Sequence, residues 1–436
     1  MKRLFRGARV IDPANGVDGF VDVMVDGDTI GQVGRDLPVD GAEVVQLGRD
    51  HLLVPGLIDI HVHLREPGQE HKENVATGTA SAVAGGFTAV ACMPNTTPVN
   101  DNANVTAFIL SKAAEANLAR VYPIGAVSRG SKGELLADIA ELRRAGCVAI
   151  TDDGHPTRTA LLLRRALEYA AMFDMPVIEH CEDASLKGDG VAHEGFTAAT
   201  LGLRGMPGAC EALGVERGVL LAELTGSAFH VAHMSARASL RAVRKAKEAG
   251  IRVTCEVAPH HFTLTDDALQ SPIPYDTNTK MNPPLREAAD RDAMLAGIVD
   301  GTVDAIATDH APHHYDEKHV EFDRAPFGIV GLETAVPLSL TQLVHTGRIG
   351  LPRLVELMST NPARLLRLPG GTLTPGAPAD ITILAPDMPV TIKASELRSR
   401  SKNTPFDGWQ LRGAVVATVV GGRSVYVNAA AGLALA

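Results

Sequence analysis

The 436-residue chain lacks the features that mark a nucleic-acid-binding or membrane protein. It has no run of lysine and arginine, and its formal net charge of −10 disfavours a polyanionic partner. The start, MKRLFRGARVIDP, lacks the apolar stretch of about 7 to 15 residues of a secretory signal, and no window approaches the roughly 18 apolar residues of a membrane span. These absences predict a cytoplasmic protein that acts on small molecules, without nucleic acid or membrane as a partner.

Cysteine is scarce and irregularly spaced. Five cysteines are an odd number, and none forms a CxxC pair. This favours reduced, mostly buried thiols over a disulfide or zinc-finger framework, and no role is assigned to them. They are Cys92, Cys147, Cys181, Cys210 and Cys255.

Short apolar runs are abundant, and they alternate with helical patterns from about residue 57 to 345. Nearly continuous apolar strands separated by helices are typical of a parallel sheet that is buried on both faces. Eight such units predict an α/β fold, a closed (β/α)8 TIM barrel. The runs are LIDIHVH, FTAVACM, ARVYPIGAVS, CVAITDD, PVIEHCE, AFHVAHMS, RVTCEVAPH and DAIATDHAPH, and helices are predicted between them, for example over 101–117 and 235–249.

The two ends of the chain have a different pattern. Residues 1–54 and about 372–428 alternate over short strands that are broken by Gly, Asp and Pro. We therefore predict one small β-sandwich domain built from both termini, comprising residues 1–54 and 366–436. Residues 55–365 then form the barrel domain.

Metal-binding residue types recur where the predicted barrel strands end. Side chains from distant parts of the sequence converge at the C-terminal ends of barrel strands, and imidazole and carboxylate are ligands that zinc accepts. Because strand side chains alternate faces, residues 61 and 63 can both face the barrel mouth. The set therefore predicts a metal site. It consists of His61, His63, Asp152, Asp153, His180, His233 and Asp309, with His310 and His313 following.

Other polar residues near these runs stay outside the predicted metal set. A single histidine at a strand end is more often a hydrogen-bonded core residue than a ligand. Cys181 and Glu182 are expected to pack or to face solvent. His260 and His261 are either ligands or, as we favour, residues that shape a loop, and no pattern supports a role for His155, His193 or His230.

Seven motifs in this chain are specific. Through these motifs the chain resembles the dihydroorotases of the amidohydrolase superfamily, in particular the long bacterial type. The likeness covers essentially the whole length and implies a distorted barrel with a composite β domain. It also implies a binuclear zinc site, with two ions per subunit, that interconverts dihydroorotate and N-carbamoyl-L-aspartate in the third step of pyrimidine synthesis. The motifs are DIHVHLREPG (59–68), GGFTAVACMPNTTPV (85–99), ITDDG (150–154), VIEHCED (177–183), FHVAHMS (229–235), KMNPPLR (280–286) and ATDHAPHHYDEK (307–318).

The resemblance implies six metal ligands, which are His61, His63, Asp153, His180, His233 and Asp309. Many members of the superfamily bridge the two ions with a carboxylated lysine, but CVAITDDG has none. Asp153 is the expected substitute, and Asp152 is the alternative. His61, His63 and Asp309 would then hold one ion, and His180 and His233 the other. A hydroxide that bridges the metals is expected to attack the cyclic amide, with Asp309 as the catalytic proton shuttle.

Arg65 is the expected determinant of the substrate. A guanidinium two residues beyond His63 offers a planar, permanently charged fork for the ring carboxylate of dihydroorotate. Asn95 and Asn282 have an alternative role as turn residues beside proline, and Gly328 as a loop hinge. The full set of substrate-binding residues that the resemblance implies is His63, Leu64, Arg65, Asn95, Asn282, His313, Phe327 and Gly328.

Two competing functions remain at this stage. A hydantoinase, dihydropyrimidinase or allantoinase would share the barrel and the metals, but Arg65 and the missing lysine argue against these enzymes. A dihydroorotase-like subunit that has lost its metals and only supports aspartate carbamoyltransferase would be expected to lack ligands. We expect a homodimer, and a complex with aspartate carbamoyltransferase stays open.

Overall fold

The computed structural model describes residues 2–433, in which strands at both ends of the chain flank a barrel. The strands are β1 (Lys2–Arg6), β2 (Arg9–Asp12), β3 (Val17–Phe20), β4 (Asp22–Asp26), β5 (Thr29–Gly34), β6 (Glu43–Gln46), β7 (Leu52–Pro55), β8 (Leu57–Val62), β9 (Phe87–Cys92), β10 (Arg120–Pro123), β11 (Val177–Glu179), β12 (Ala192–His193), β13 (Gly205–Met206), β14 (Phe229–Val231), β15 (Val253–Val257), β16 (Ala305–Ile306), β17 (Ile381–Thr391), β18 (Gln410–Val420) and β19 (Arg423–Val427). The α-helices are α1 (Val75–Ala84), α2 (Ala103–Ala116), α3 (Ile139–Ala145), α4 (Ala160–Ala171), α5 (Ala184–Lys187), α6 (Phe196–Leu201), α7 (Gly208–Thr225), α8 (Arg237–Glu248), α9 (Pro259–Thr263), α10 (Ala288–Asp300), α11 (Tyr315–Lys318), α12 (Ala335–Ser339), α13 (Leu351–Val355) and α14 (Asn361–Leu366).

Parallel strands form the centre of the molecule. β8, β9 and β10 pair in parallel, as do β11, β14, β15 and β16. The barrel closes where Val62, at the end of β8, bridges His310, whose carbonyl accepts the amide of His63 at 2.9 Å. β8 and β9 are buried along their whole length, because a parallel barrel is packed on both faces. The predicted (β/α)8 barrel is confirmed.

The fourth barrel strand is shorter than the run CVAITDD predicts. Only Ile150 forms bridges, to Gly125 on one side and to Val177 on the other. The backbone hydrogen bonds to the neighbouring segment continue only as far as Thr151, whose carbonyl accepts the amide of Val127 at 3.2 Å. This short strand still joins the two parallel groups into one barrel.

Helices cover the outside of the barrel and have local start signals. α2 lies within the predicted range 101–117, and Asn102 caps it by accepting the amides of Asn104 and Val105. α8 lies within the predicted range 235–249 but begins two residues later, because the amide of Ser235 donates to Glu211 at 3.0 Å. No helix within residues 2–433 combines the length and the apolar content needed to span a bilayer.

Two further sheets lie beside the barrel. One has the order β5-β4-β1-β6, and the other, β19-β18-β17-β7-β2-β3, combines strands from both ends of the chain. Phe5 and Val23 of the first sheet share a hydrophobic core with Ile381 and Val419 of the second, as two packed sheets require. The domain boundaries at 54/55 and 365/366 stay a prediction.

Candidate metal centre and substrate end

His61 and His63 lie at the C-terminal end of β8, beside Asp309. The Nε2 atom of His63 is 3.1 Å from Oδ1 of Asp309, and Nε2 of His61 is 3.6 Å from the same oxygen. All three side chains are buried. Their ligand atoms lie within 4.8 Å of one another, so this group has the geometry to hold one divalent cation.

A second group of potential ligands shares His61 and adds Asp153 and His233. Oδ1 of Asp153 is 3.4 Å from Nε2 of His61 and 3.6 Å from Nε2 of His233. Its other oxygen, Oδ2, is 3.5 Å from Nε2 of His63. One carboxylate therefore faces histidines of both groups, which is the arrangement that a bridge between two cations needs.

His180 is not a member of either group, but it contacts His233 of the second group. Its Nδ1 atom is 2.9 Å from Nε2 of His233, and it directly follows β11, which ends at Glu179. The structure thus brings all six predicted ligands to the C-terminal end of the barrel.

Asp152, the alternative bridge, faces away from the centre. Its Oδ1 accepts the amide of Ser128 at 3.0 Å, and its Oδ2 accepts the hydroxyl of the same serine. Both oxygens are therefore engaged elsewhere, and Asp153 lies in the bridging position.

Neighbouring charges keep the buried carboxylates of the centre ionised. Burial opposes ionisation of Asp309, but the hydrogen bond with His63 and the charge of His61 lower its pKa to about 2. Burial also opposes ionisation of Asp153, but the charge of His61 and the hydrogen bonds with His233 and His61 together outweigh it, so the pKa of Asp153 lies well below its usual value. Nε2 of His61 and Oδ1 of Asp153 are buried and make no hydrogen bond within residues 2–433. These residues fit a divalent cation, since coordination would satisfy both atoms.

Glu256, in β15, is a functional residue that the motifs did not reveal. Its Oε1 is 2.7 Å from Nδ1 of His61, and its Oε2 is 3.2 Å from Nε2 of His230, whose Nδ1 lies 2.8 Å from the hydroxyl of Thr254. A carboxylate that accepts the Nδ1 proton of a histidine leaves Nε2 as the ligand. The available signal was one acidic residue inside the apolar run RVTCEVAPH, because a carboxylate is rarely buried without partners.

Asp59 supports the same region from inside β8. Its Oδ1 accepts the amides of His61 and Thr308, both at 3.1 Å, and so links the first barrel strand to the eighth. Burial raises the pKa of Asp59 to about 7. Asp59 is thus a structural contact beneath the ligands rather than a ligand.

The other histidines that the sequence left open lie outside the two ligand groups. His260 and His261 belong to α9, and Nε2 of His261 is 2.9 Å from the carbonyl of Pro283. Burial lowers the pKa of His261 to about 4 and that of His260 well below its usual value. His155 is exposed.

Asn282 and Glu182 contact the metal end of the site through His180. The Nδ2 atom of Asn282 is 3.0 Å from Nε2 of His180 and 3.0 Å from Oε2 of Glu182. Glu182 is buried and paired with Lys187 at 2.9 Å, so it packs rather than facing solvent.

Arg65 is buried, and no acidic side chain within residues 2–433 lies at ion-pair distance from its guanidinium. Its Nε donates to the carbonyl of Pro312 at 3.2 Å, and one of its terminal nitrogens is 3.4 Å from Nε2 of His313. Burial lowers the pKa of Arg65 to about 10, so it is charged at neutral pH. A buried cation is costly without a counter-ion, and a ligand carboxylate would supply one.

His313 connects Arg65 to the loop that carries Phe327 and Gly328. Its Nε2 donates to the carbonyl of Phe327 at 2.8 Å, while burial and the charge of Arg65 hold its pKa far below the usual range. Gly328 has a φ of +123°, and a Cβ there would lie 2.5 Å from Cβ of Ala311. Only glycine therefore fits at this contact between the loops.

Asn95 and Leu64 approach the site in different ways. Oδ1 of Asn95 is 2.9 Å from Nδ1 of His63, so this amide orients a predicted ligand. Leu64 is buried in the main hydrophobic core, and its Cδ2 would lie 2.5 Å from a Cβ added at Gly78 in α1. A substrate contact of Leu64 is therefore confined to its main chain.

Three residues of the site have a left-handed backbone. The φ angles are +60° at Arg65, +31° at His233 and +49° at Asp309. Residues other than glycine rarely adopt this conformation, and such strain persists where the surrounding structure imposes it, often at functional sites. The directions of these side chains therefore do not follow from the two-residue period of a strand.

Comparisons with known proteins cover nearly the whole chain. A family model described as "Dihydro-orotase-like" matches residues 50–239, and one described as "Amidohydrolase family" matches residues 323–426. The chain is 53% identical over 426 residues to a dihydroorotase of Syntrophotalea carbinolica, covering 98% of this chain and 99% of the relative. It is 52% identical over 427 residues to a dihydroorotase of Geobacter metallireducens, covering 98% and 100%.

Solved structures with the same fold carry other names. An L-hydantoinase of Arthrobacter aurescens aligns with a TM-score of 0.85 at 24% identity, covering 97% of this chain and 95% of that one. A dihydropyrimidinase of Brevibacillus agri aligns with a TM-score of 0.86 at 24% identity, covering 98% and 95%. At this identity the likeness shows a shared fold.

Proposed function

This chain belongs to the dihydroorotases of the amidohydrolase superfamily and is a cyclic amide hydrolase of pyrimidine synthesis; on that premise we propose how its residues perform the reaction. The substrate pair is (S)-dihydroorotate and N-carbamoyl-L-aspartate. The observation that carries this assignment is the buried guanidinium of Arg65, which has no acidic partner within residues 2–433, beside a cluster of His and Asp side chains.

The proposed cofactor is a pair of zinc ions. His61, His63 and Asp309 would hold one ion, His180 and His233 the other, and Asp153 would bridge them. Bound there, the ions would lower the pKa of a coordinated water to about 7 and would polarise the scissile carbonyl. Support comes from the unpaired atoms of His61 and Asp153 and from the two oxygens of Asp153, which face different histidines.

Asp309 is the proposed proton shuttle. Its carboxylate is ionised at neutral pH and therefore has a lone pair with which to accept the proton of the attacking water. The same carboxylate then delivers this proton to the ring nitrogen as the amide bond breaks. In the biosynthetic direction, Asp309 takes the proton from the ureido nitrogen as the ring closes, because the forward and reverse reactions use the same groups.

The ring carboxylate is proposed to bind Arg65, with His313 and Asn95 beside it. Arg65 supplies a charged fork, and His313 keeps a neutral ring next to it, so that an anion meets one full positive charge. His63 and the main chain of Leu64 would line the same end. Asn282 and the main chain of Phe327 and Gly328 would meet the amide edge of the ring.

One experiment separates the candidate activities. The zinc content of the purified protein is measured together with the turnover of dihydroorotate, hydantoin and allantoin. We expect two zinc ions per chain and a clear preference for dihydroorotate. Preference for a ring without the carboxylate would indicate a hydantoinase or allantoinase instead, and absence of bound metal with no turnover would indicate a supporting subunit.

The assembly and location of the protein are proposed on family grounds alone. We expect a homodimer in the cytoplasm, acting on small molecules without nucleic acid or membrane, and light scattering of the purified protein tests the dimer. Addition of aspartate carbamoyltransferase to the same measurement tests whether the two proteins form a complex.

A further inference from the structure

Asn403 lies outside the barrel strands but reaches the substrate end of the site. It belongs to the segment between β17 and β18, two strands of the six-stranded sheet. Its side chain is buried, with 6% of the residue exposed. Neither the motifs nor the family likeness assigns it a role.

The side-chain amide of Asn403 joins two loops. Its Nδ2 donates to the carbonyls of Ala311 and Gly328, both at 3.1 Å, and its Oδ1 accepts the amide of His313 at 3.1 Å. The main-chain oxygen of Asn403 also accepts the amide of Val330 at 2.9 Å. Both donors and the acceptor of the amide are therefore used, which only asparagine can do at this position and length.

These two loops carry the groups that face the ring carboxylate and the ring amide. One continues from the eighth barrel strand through Ala311 to His313, and the other carries Phe327 and Gly328. Within residues 2–433 they also meet at the hydrogen bond of His313 with Phe327 and at the close approach of Gly328 to Ala311. The loops also pair through the amide of Ala311, which donates to the carbonyl of Ile329 at 2.8 Å, and the amide of Asn403 joins them beside these contacts.

The segment that carries Asn403 is anchored independently of it. The carboxylate of Glu333 accepts the amides of Arg398 and Ser399 at 2.7 and 3.1 Å. Glu73 accepts the hydroxyl of Ser399 at 2.6 Å and the amide of Arg400 at 3.1 Å. A substitution at position 403 therefore removes the loop contacts while the segment stays attached to the barrel.

We propose that Asn403 is a positioning residue for substrate recognition, which holds the loop of His313 and the loop of Phe327 and Gly328 at the spacing that the ring requires. The inference rests on the proposed function, in which Arg65 and His313 receive the ring carboxylate. Asn403 acts through these residues and does not touch the substrate. Its loss should weaken recognition of the substrate and leave the metal ligands in place.

The test compares Asn403→Asp and Asn403→Ala with the wild-type enzyme. Asn403→Asp keeps the acceptor for His313 but loses both donors, whereas Asn403→Ala loses all three side-chain bonds. Because unsatisfied buried carbonyls are costly, we expect the KM for dihydroorotate to rise by about 5- to 100-fold in both variants. We expect kcat to change by less than about threefold and the zinc content to stay unchanged. Asn403→Ser, which retains one hydroxyl, should show a smaller rise and gives a further readout if the other two variants fold poorly.

Asn361→Asp is the matched control. The Nδ2 atom of Asn361 donates to the carbonyl of Asp304 at 2.9 Å. Asp304 precedes the eighth strand, so this bond lies at the end of the barrel opposite to the site. This control should leave KM unchanged. An unchanged KM in the variants at position 403 overturns the inference, and so does a parallel loss of kcat and zinc. Wild-type protein that does not turn over dihydroorotate refutes the proposed function and the inference together, so the two failures are distinguishable.

Discussion

At the metal end of the site, histidine and aspartate side chains project from the ends of barrel strands. At the other end, called the carboxylate end because the ring carboxylate of the substrate is proposed to bind there, Arg65, His313 and Gly328 lie on loops. His61 at the metal end is held from inside the barrel by Glu256. The loops at the other end are joined by Asn403, which comes from the C-terminal part of the chain. Under the proposed function, the strand framework holds the groups that carry out the chemistry, and the loops hold the groups that select the substrate.

The two ends also differ in charge. Asp153, Asp309 and Glu256 all have a pKa below the usual value despite their burial, so the metal end holds three ionised carboxylates. The carboxylate end holds the charged guanidinium of Arg65 with His313 neutral beside it. The metal end therefore favours a cation and the carboxylate end favours an anion, although His63 and Arg65 are only two residues apart along the chain.

The largest effect is expected from Asp309→Asn, which keeps the shape of the side chain but removes the proton acceptor. We expect kcat to fall by about 100- to 10,000-fold, the range for loss of a general acid or base. Steady-state kinetics on zinc-reconstituted protein, with the zinc content measured in parallel, checks this. A kcat above a tenth of the wild-type value at full zinc occupancy would exclude Asp309 as the shuttle.

Arg65→Met should act at the other end of the site. We expect the KM for dihydroorotate to rise by about 100-fold or more, because a buried charged partner of the carboxylate is lost. Zinc content should stay at the wild-type level, and Arg65→Lys should recover part of the affinity, since it restores the charge without the fork. Equal losses of zinc and of substrate affinity would show that Arg65 is structural.

Glu256→Gln tests whether the metal end depends on support from inside the barrel. We expect zinc affinity to fall by about 10- to 100-fold, as measured by competition with a chelator, because the glutamine no longer fixes the tautomer of His61 as firmly. The KM for dihydroorotate at saturating zinc should stay near the wild-type value. A changed KM with unchanged zinc affinity would contradict the division between the two ends.

Asp152→Asn should have the smallest effect. The side chain bonds to Ser128 and not to the ligand groups, so we expect kcat and zinc content within about threefold of wild type. The hydrogen bonds with Ser128 weaken, and thermal unfolding should show a loss of about 1 kcal/mol. A strong loss of zinc would instead favour Asp152 as the bridge.

Much of the barrel could be predicted because its signals are local. Apolar runs of strand length recur eight times, and the alternation of strand side chains directs His61 and His63 to one face. The fourth strand is the exception, since only Ile150 forms bridges there. The partners of Glu256 and Asn403 could not be predicted from local patterns, because Glu256 is 195 residues from His61 and Asn403 is 90 residues from His313.

The sequence by itself determined the alternation that builds the barrel, the placing of imidazole and carboxylate groups at strand ends, and the presence of one arginine beside the first pair of histidines. Only the tertiary structure decided that Asp153 rather than Asp152 faces the predicted ligands, that Arg65 has no acidic partner in the described range 2–433, and that the loops of His313 and Gly328 are joined from the C-terminal part of the chain. The physical reason is the range of the interactions: periodicity acts over a few residues, whereas left-handed turns at Arg65 and Asp309 and hydrogen bonds between distant segments are imposed by packing.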